Sequence, residues 1–221
     1  MLFAKIDFMS FRSNHIIFFF IIVLIAFLLQ NVYAQKPTAR TFFDIGVEDS
    51  NKMEYSEAID SFRHAIKLKP DYAEAYYQMG RAYYSLHRYE ESYDAYKKAV
   101  KADPKYVDAY ISLGSLASMF SEYNEAASAL ESAVKIEPGN AEAHFALGNI
   151  YSEMEKYDEA AEAYKSAIKI KPDFAEAHYN LGVTYIKLNS KMISKARQQH
   201  NRLKKMDKEL AEELGNMLEG K

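Results

Sequence analysis

Apolar and polar residues follow the spacing of amphipathic helices over residues 39–174, and the pattern repeats every 34 residues. Counted from position 1 at Ala39, apolar residues fall at repeat positions 4, 7, 8 and 11, and again at 20, 24, 27 and 30. Steps of three and four residues place side chains on one face of a helix. Two such stripes in each period predict a stack of helix pairs.

Glycine and proline keep the same 34-residue step. The prolines favour helix ends, because a residue that precedes proline avoids helical geometry. Glycine within a helix costs about 0.5–1 kcal/mol, so its recurrence predicts close approach of the paired helix. We expect the small residues at positions 20 and 27 to face it, with position 24 filling the space between successive pairs. The recurring residues are Gly46, Gly80, Gly114, Gly148 and Gly182, and Pro70, Pro104, Pro138 and Pro172.

The combined motif is specific. In the second repeat it has the form Tyr76-x2-Met79-Gly80-x2-Tyr83, then Ser92-x3-Tyr96-x2-Ala99, then Pro104. This pattern resembles the tetratricopeptide repeat (TPR). The resemblance implies an all-α, right-handed superhelical solenoid of about five helix-turn-helix units with a concave inner face. The units are 39–72, 73–106, 107–140, 141–174 and 175–210.

The fifth unit departs from the pattern. It fits only if two residues are inserted between Leu188 and Ile193, which places His200 at position 24. Residues 208–218 then form one more amphipathic helix, with Asp207 as its N-cap. Because the last repeat of an array has an uncovered apolar face, we expect 208–218 to be a capping helix that closes the 39–210 array. In the earlier repeats, Ser56, Asn124 and Asp158 at position 18 are expected to cap the second helix.

The N-terminal residues have the features of a targeting segment. Residues 16–29 are apolar without interruption, and Val32-Tyr33-Ala34 fits a signal-peptidase site between Ala34 and Gln35. We expect 1–34 to be a signal peptide and the protein to be exported to the periplasm, the cell surface or the medium. An uncleaved membrane anchor at 16–29 and a buried apolar helix are the alternatives. The start codon is Met1 or Met9.

Composition narrows the chemistry. The net charge is −3 and there are no cysteines, so disulfides, thiolate metal sites and cysteine nucleophiles are excluded, and nothing indicates nucleic-acid binding. No catalytic or phosphate-binding motif is present. His144 and His178 share position 4 and are expected to pack between repeats. We therefore predict no enzyme and no catalytic, metal or cofactor-binding residue.

The resemblance implies that positions 2, 5, 6, 9, 12 and 13 line a concave groove that binds a protein or peptide. Position 5 is aromatic or Ile, which also suits a scaffold role, and its lack of Lys argues against a clamp for acidic chaperone tails. The predicted protein-binding residues are Phe43, Tyr77, Arg81, Tyr84, Ile111, Phe145, Asn149, Tyr179 and Asn180. The sequence thus predicts an exported adaptor with no catalytic activity. The alternative is a self-associating structural module of the cell envelope.

Overall fold

The computed structural model describes residues 21–25 and 36–220. Residues 21–25 are helical and exposed. The rest of the predicted signal peptide, with Ala34 and Gln35, lies outside the described residues. Within the described ranges, no helix is both long and apolar enough to cross a membrane.

Five helix pairs and one further helix follow from residue 39. The first helices of the pairs are α1 (Ala39–Asn51), α3 (Ala73–Ser85), α5 (Val107–Met119), α7 (Ala141–Glu153) and α9 (Ala175–Leu188). The second helices are α2 (Tyr55–Leu68), α4 (Tyr89–Ala102), α6 (Tyr123–Ile136), α8 (Tyr157–Ile170) and α10 (Ile193–Met206). A 3-10 turn, Ser190–Met192, precedes α10, and α11 (Lys208–Glu219) ends the array. The ranges 21–25 and 36–220 contain no strand, and the predicted all-α solenoid is confirmed.

The stack curves with its first helices on the inside. First helices of neighbouring repeats approach closely in α1–α3, α5–α7 and α7–α9, whereas second helices of neighbouring repeats stay farther apart throughout residues 39–206. Surface positions of the first helices therefore face the inner, concave side.

The first helices of the first four repeats each end in a tight turn whose position 15 is left-handed, with φ of 58–64° at Met53, His87, Ser121 and Glu155. In the fourth repeat the Lys156 amide donates to the Tyr151 carbonyl at 2.8 Å, which closes the turn. The next helix begins at position 17, so the residues at position 18 lie inside it. The prediction that Ser56, Asn124 and Asp158 cap these helices is therefore wrong, and backbone hydrogen bonds fix the helix start instead.

The side chain at position 24 fills a space beside the helix glycine of its own repeat. A Cβ on Gly148 would lie 2.6 Å from Cε1 of Tyr164, too close for two carbon atoms. Position 20 also lies near the glycine, since the Ser92 hydroxyl donates to the Gly80 carbonyl at 2.8 Å. The close approach is as predicted, and position 24 also packs between successive pairs, because Tyr96 shares a core cluster with Leu113 and Leu116 of the third repeat.

Burial differs from the predicted apolar stripes at three repeat positions: positions 3 and 10 are more buried than predicted, and position 30 is less buried. Positions 3 and 10 of α3, α5, α7 and α9 are also buried, as Ala143 and Ile150 show in α7, where Ile150 packs with Leu130 of the preceding repeat. Position 30 was predicted to be buried, yet Leu68 is 54 % exposed. Leu68 is the last residue of α2.

The fifth repeat is completed by α11. The space beside Gly182 is filled by Leu214 of α11, whose Cδ2 would lie 2.5 Å from an added Cβ. His200, at position 24, lies instead beside Gly215. Asp207 is the only residue between α10 and α11, and it caps α11 by accepting from the Glu209 and Leu210 amides, as the sequence predicts.

Candidate protein-binding groove

The inner face carries a cavity at successive junctions between repeats. The first and second repeats enclose about 180 Å³ and the second and third about 220 Å³. A cavity of about 400 Å³ lies where the third, fourth and fifth repeats meet. All three are lined mainly by positions 6, 9, 12 and 13 of the first helices, so the groove runs from the first repeat to the near side of the fifth.

The largest of these three groove cavities has a lining rich in hydroxyl and amide groups. Its only ionisable carboxylate among the described residues is Glu153. The residues that line it are Ser118, Tyr123, Asn149, Ile150, Ser152, Glu153, Tyr164, Asn180 and Val183. Such a surface offers hydrogen bonds without strong charge selection.

A hydrogen-bond network fixes two amide side chains in this cavity. Asn149 Oδ1 accepts from the Tyr164 hydroxyl and from Asn180 Nδ2, each at 2.8 Å. Burial raises the pKa of Tyr164, so its hydroxyl keeps its proton and acts as the donor. Because the Asn149 oxygen is occupied twice, its Nδ2 remains to donate and Asn180 Oδ1 remains to accept. The cavity therefore presents one donor and one acceptor side by side.

Five of the predicted binding residues contribute to cavity walls. Arg81 lines the first cavity and donates to Gln78 Oε1 at 3.2 Å. Tyr84 and Ile111 line the second cavity. Asn149 and Asn180 line the largest one. Their role in binding stays a prediction.

The aromatic residues at position 5 pack against other rings of the scaffold, and Phe43 among them is buried. Phe43 is 8 % exposed and stacks on Tyr72 with ring centroids 5.0 Å apart, so it lies in the core and not on the groove surface. Tyr77 packs on Tyr96 and Tyr106, and Phe145 packs on Tyr164 and Phe174, but both are half-buried. Position 5 contacts the rings at positions 24 and 34. Its aromatic side chains therefore stabilise the helix pair, whether or not they also contact a ligand.

Tyr179 differs from the other position-5 residues, because it packs against α11. Its hydroxyl donates to Glu213 Oε1 at 2.5 Å, and Val183 and Ile186 pack on the same helix. Burial and Glu213 raise the pKa of Tyr179 to about 12. The capping helix therefore covers the groove face of the fifth repeat beyond the largest cavity.

Four serines line the cavities at groove positions that the sequence predicts, although they are not among the predicted binding residues. Ser118 and Ser152 at position 12 line the largest cavity, and Ser112 and Ser115 line the second. The signal that could have found them is their variation between repeats, because positions that only pack tend to keep one residue type.

The two histidines at position 4 link neighbouring repeats. Nε2 of His144 is hydrogen-bonded to the Pro138 carbonyl, and Nε2 of His178 to the Pro172 carbonyl, each at 3.0 Å. Nδ1 of His178 lies 2.7 Å from Gln199 Oε1 of α10. The expectation that these side chains pack between repeats is confirmed.

Together these features define a curved stack of helix pairs with an open inner groove, a protein-interaction scaffold. TPR models match residues 54–87, 80–117 and 148–189, and a further tetratricopeptide repeat model matches 120–160. The chain belongs to the tetratricopeptide repeat family.

Solved structures of other proteins share this fold. A MamA protein is 28 % identical with a TM-score of 0.68, over 77 % of this chain and 96 % of its own. YrrB, described as a TPR protein with an unusual peptide-binding site, is 25 % identical with a TM-score of 0.72, over 85 % and 97 %. MamA from Desulfovibrio magneticus RS-1, 22 % identical with a TM-score of 0.70 over 80 % and 98 %, shares the fold alone. No curated protein matches the sequence.

Proposed function

We propose that this chain is an exported adaptor without catalytic activity that binds an extended peptide segment of a partner protein in its groove. The observation that carries the proposal is the fixed pair of Asn149 and Asn180 in the largest of the three groove cavities. Each peptide group of an extended chain offers one carbonyl acceptor and one amide donor. The free donor of Asn149 and the free acceptor of Asn180 complement these two groups.

The rest of the groove suits the same ligand. The hydroxyls of Ser112 and Ser115, at positions 6 and 9, continue the polar lining into the second cavity, and Tyr84 and Ile111 add apolar walls for side chains. Since an extended segment exposes its main chain along its length, polar groups at successive junctions contribute affinity while the cavities select side chains. YrrB, which shares the fold and 25 % of its residues, is described as having a peptide-binding site.

Export is supported by the sequence. The apolar run 16–29 and the small residue before Gln35 have the form of a cleaved signal. Mass measurement of the protein from its native cells should give an N-terminus at Gln35. A membrane-bound chain that still begins at Met1 or Met9 would contradict cleavage.

The binding mode is tested by one substitution that changes a single donor. Peptides are selected on the full chain from a displayed random library, and their dissociation constants are measured by calorimetry. Asn149→Asp keeps an oxygen for Tyr164 and Asn180 but replaces the amide donor with a carboxylate. We expect at least about tenfold weaker binding, equal to about 1.4 kcal/mol. Methylation of one particular peptide nitrogen should weaken binding as well. It removes the N–H group that would donate a hydrogen bond to Asn180 Oδ1.

The matched control is Asn124→Asp, which adds the same charge at an exposed position on α6. It should leave the dissociation constant unchanged. If peptides bind the Asn149→Asp variant as tightly as the parent chain, this cavity does not form the proposed hydrogen bonds with the peptide backbone.

A further inference from the structure

The second helix of the last repeat differs from the others in charge. Each of α2, α4, α6 and α8 has at least two acidic residues, whereas α10 has none. Its five basic residues are all exposed: Lys195, Arg197, Arg202, Lys204 and Lys205. Unlike the groove, this surface has a single sign of charge.

A pocket of opposite charge lies between the second and third repeats, outside the groove. It encloses about 410 Å³ and is lined by Glu90, Tyr93, Asp94, Phe120, Glu122 and Glu125, which we name the acidic pocket. The rings of Tyr93 and Phe120 stand perpendicular, at 89°, with centroids 5.7 Å apart. Rings beside carboxylates suit a guanidinium or ammonium group, which gains both cation–π and ionic contacts.

One residue of the chain already shows this chemistry at the edge of the acidic pocket. The Lys97 ammonium lies 5.1 Å from the Tyr93 centroid and 3.2 Å from Glu125 Oε1. The Tyr93 hydroxyl and Lys97 lower the pKa of Glu125, so its carboxylate stays charged. The ring and the carboxylate thus hold a cation together.

The other charges of both surfaces lack partners. Glu90, Asp94 and Glu122 form no ion pair within residues 36–220, and neither do Arg197, Arg202 and Lys205 of α10. The fourth repeat separates the acidic pocket from α10, so one copy of the chain cannot pair them. The acidic pocket and the basic surface of α10 are therefore complementary in charge, lie on the same molecule and do not contact each other.

We infer that a second copy of this chain docks here, with basic side chains of α10 entering the acidic pocket of its neighbour. Because the two surfaces differ, the contact is head-to-tail, and repetition gives an open chain of arrays or a closed ring. Opposite charges would set the orientation and the rate of association. The inference does not depend on the groove, which stays open for a peptide.

Charge reversal tests the inference by sedimentation velocity on the full chain. The parent should associate as its concentration rises, and at about 0.5 M salt, where the Debye length is about 4 Å, association should weaken at least about tenfold. Glu90→Lys, Asp94→Lys and Glu122→Lys together should abolish association, as should Arg197→Glu, Arg202→Glu and Lys205→Glu together. Mixing the two reversed proteins should restore a complex, because each then supplies the other's complement.

The matched control reverses three other exposed acidic residues, Asp158, Glu159 and Glu176, to Lys. It should associate like the parent, and circular dichroism should show every variant folded. A parent chain that stays monomeric at low salt overturns the inference, as does association that survives reversal of the acidic pocket. Peptide affinity, measured separately, should be the same in all variants, so failure here is distinct from failure of the proposed groove.

Discussion

The fourth and fifth repeats solve the same packing problem with different parts of the chain. In the fourth, the space beside Gly148 is filled by Tyr164 of the same repeat. In the fifth, the space beside Gly182 is filled by Leu214, which belongs to α11. The fourth repeat thus contains its own packing partner, whereas the fifth depends on a helix outside the repeat.

The largest expected effects come from removing the side chain that fills each space. Tyr164 is 1 % exposed and Leu214 is fully buried. Tyr164→Ala should reduce the free energy of unfolding by about 3–5 kcal/mol and Leu214→Ala by about 2–5 kcal/mol. Hydrogen exchange should distinguish the two variants, because each repeat contacts only its neighbours. Leu214→Ala should reduce the protection of backbone amides in α9 to α11 and leave the protection in α1 to α6 unchanged.

Met217→Ala is the control on the same helix, since Met217 is 43 % exposed, and it should change stability by no more than about 0.5 kcal/mol. Equal loss of protection in α1 and α9 after Leu214→Ala would show that the fifth repeat is not a separate unit.

Replacing the helix glycine by alanine in each of these two repeats should have an effect of intermediate size. Gly148→Ala places Cβ 2.6 Å from a rigid ring, whereas Gly182→Ala meets the movable end of Leu214. Overpacking of about 1–3 kcal/mol exceeds the gain of about 0.5–1 kcal/mol in helix propensity, so urea unfolding should show Gly148→Ala destabilised and Gly182→Ala less so. Gly139 has no atom within 4 Å of its would-be Cβ, and Gly139→Ala should not destabilise. Equal losses at Gly148 and Gly182 would remove the distinction.

The smallest effect concerns two tyrosine–glutamate bonds. Tyr151 donates to Glu131 at 2.7 Å between regular repeats, and Tyr179 donates to Glu213 on α11. Burial raises the pKa of each phenol to about 12 from an ordinary 10.0. Each contribution is therefore complete below pH 10 and is lost as the pH rises through about 12.

Tyr179→Phe should reduce the loss of stability between pH 10 and 12 and should lower stability at neutral pH by no more than about 1.5 kcal/mol. Thermal unfolding at several pH values measures both, with Tyr151→Phe as the matched variant. An unchanged alkaline slope in Tyr179→Phe would show that this bond does not contribute.

The regular part of the fold follows from local sequence, and the site does not. The period predicts helix pairs because each stripe needs only the residues of its own helix, as at Tyr83 and Ala99. Phe43 and Tyr179 share position 5, yet the first is core and the second meets α11, since burial depends on what another element supplies. Asn149 and Asn180 were predicted to line the groove, but the tyrosine that orients Asn149 lies 15 residues away on α8.

The dependence of the fifth repeat on Leu214 also affects the order in which the repeats can fold during synthesis. A chain emerging from the ribosome can pack its first four repeats one after another, because each finds its partner within its own sequence. The space beside Gly182 stays open until Leu214, 32 residues farther along the chain, has been made. The fifth repeat is therefore finished later than the first four, once α11 can fold back onto it.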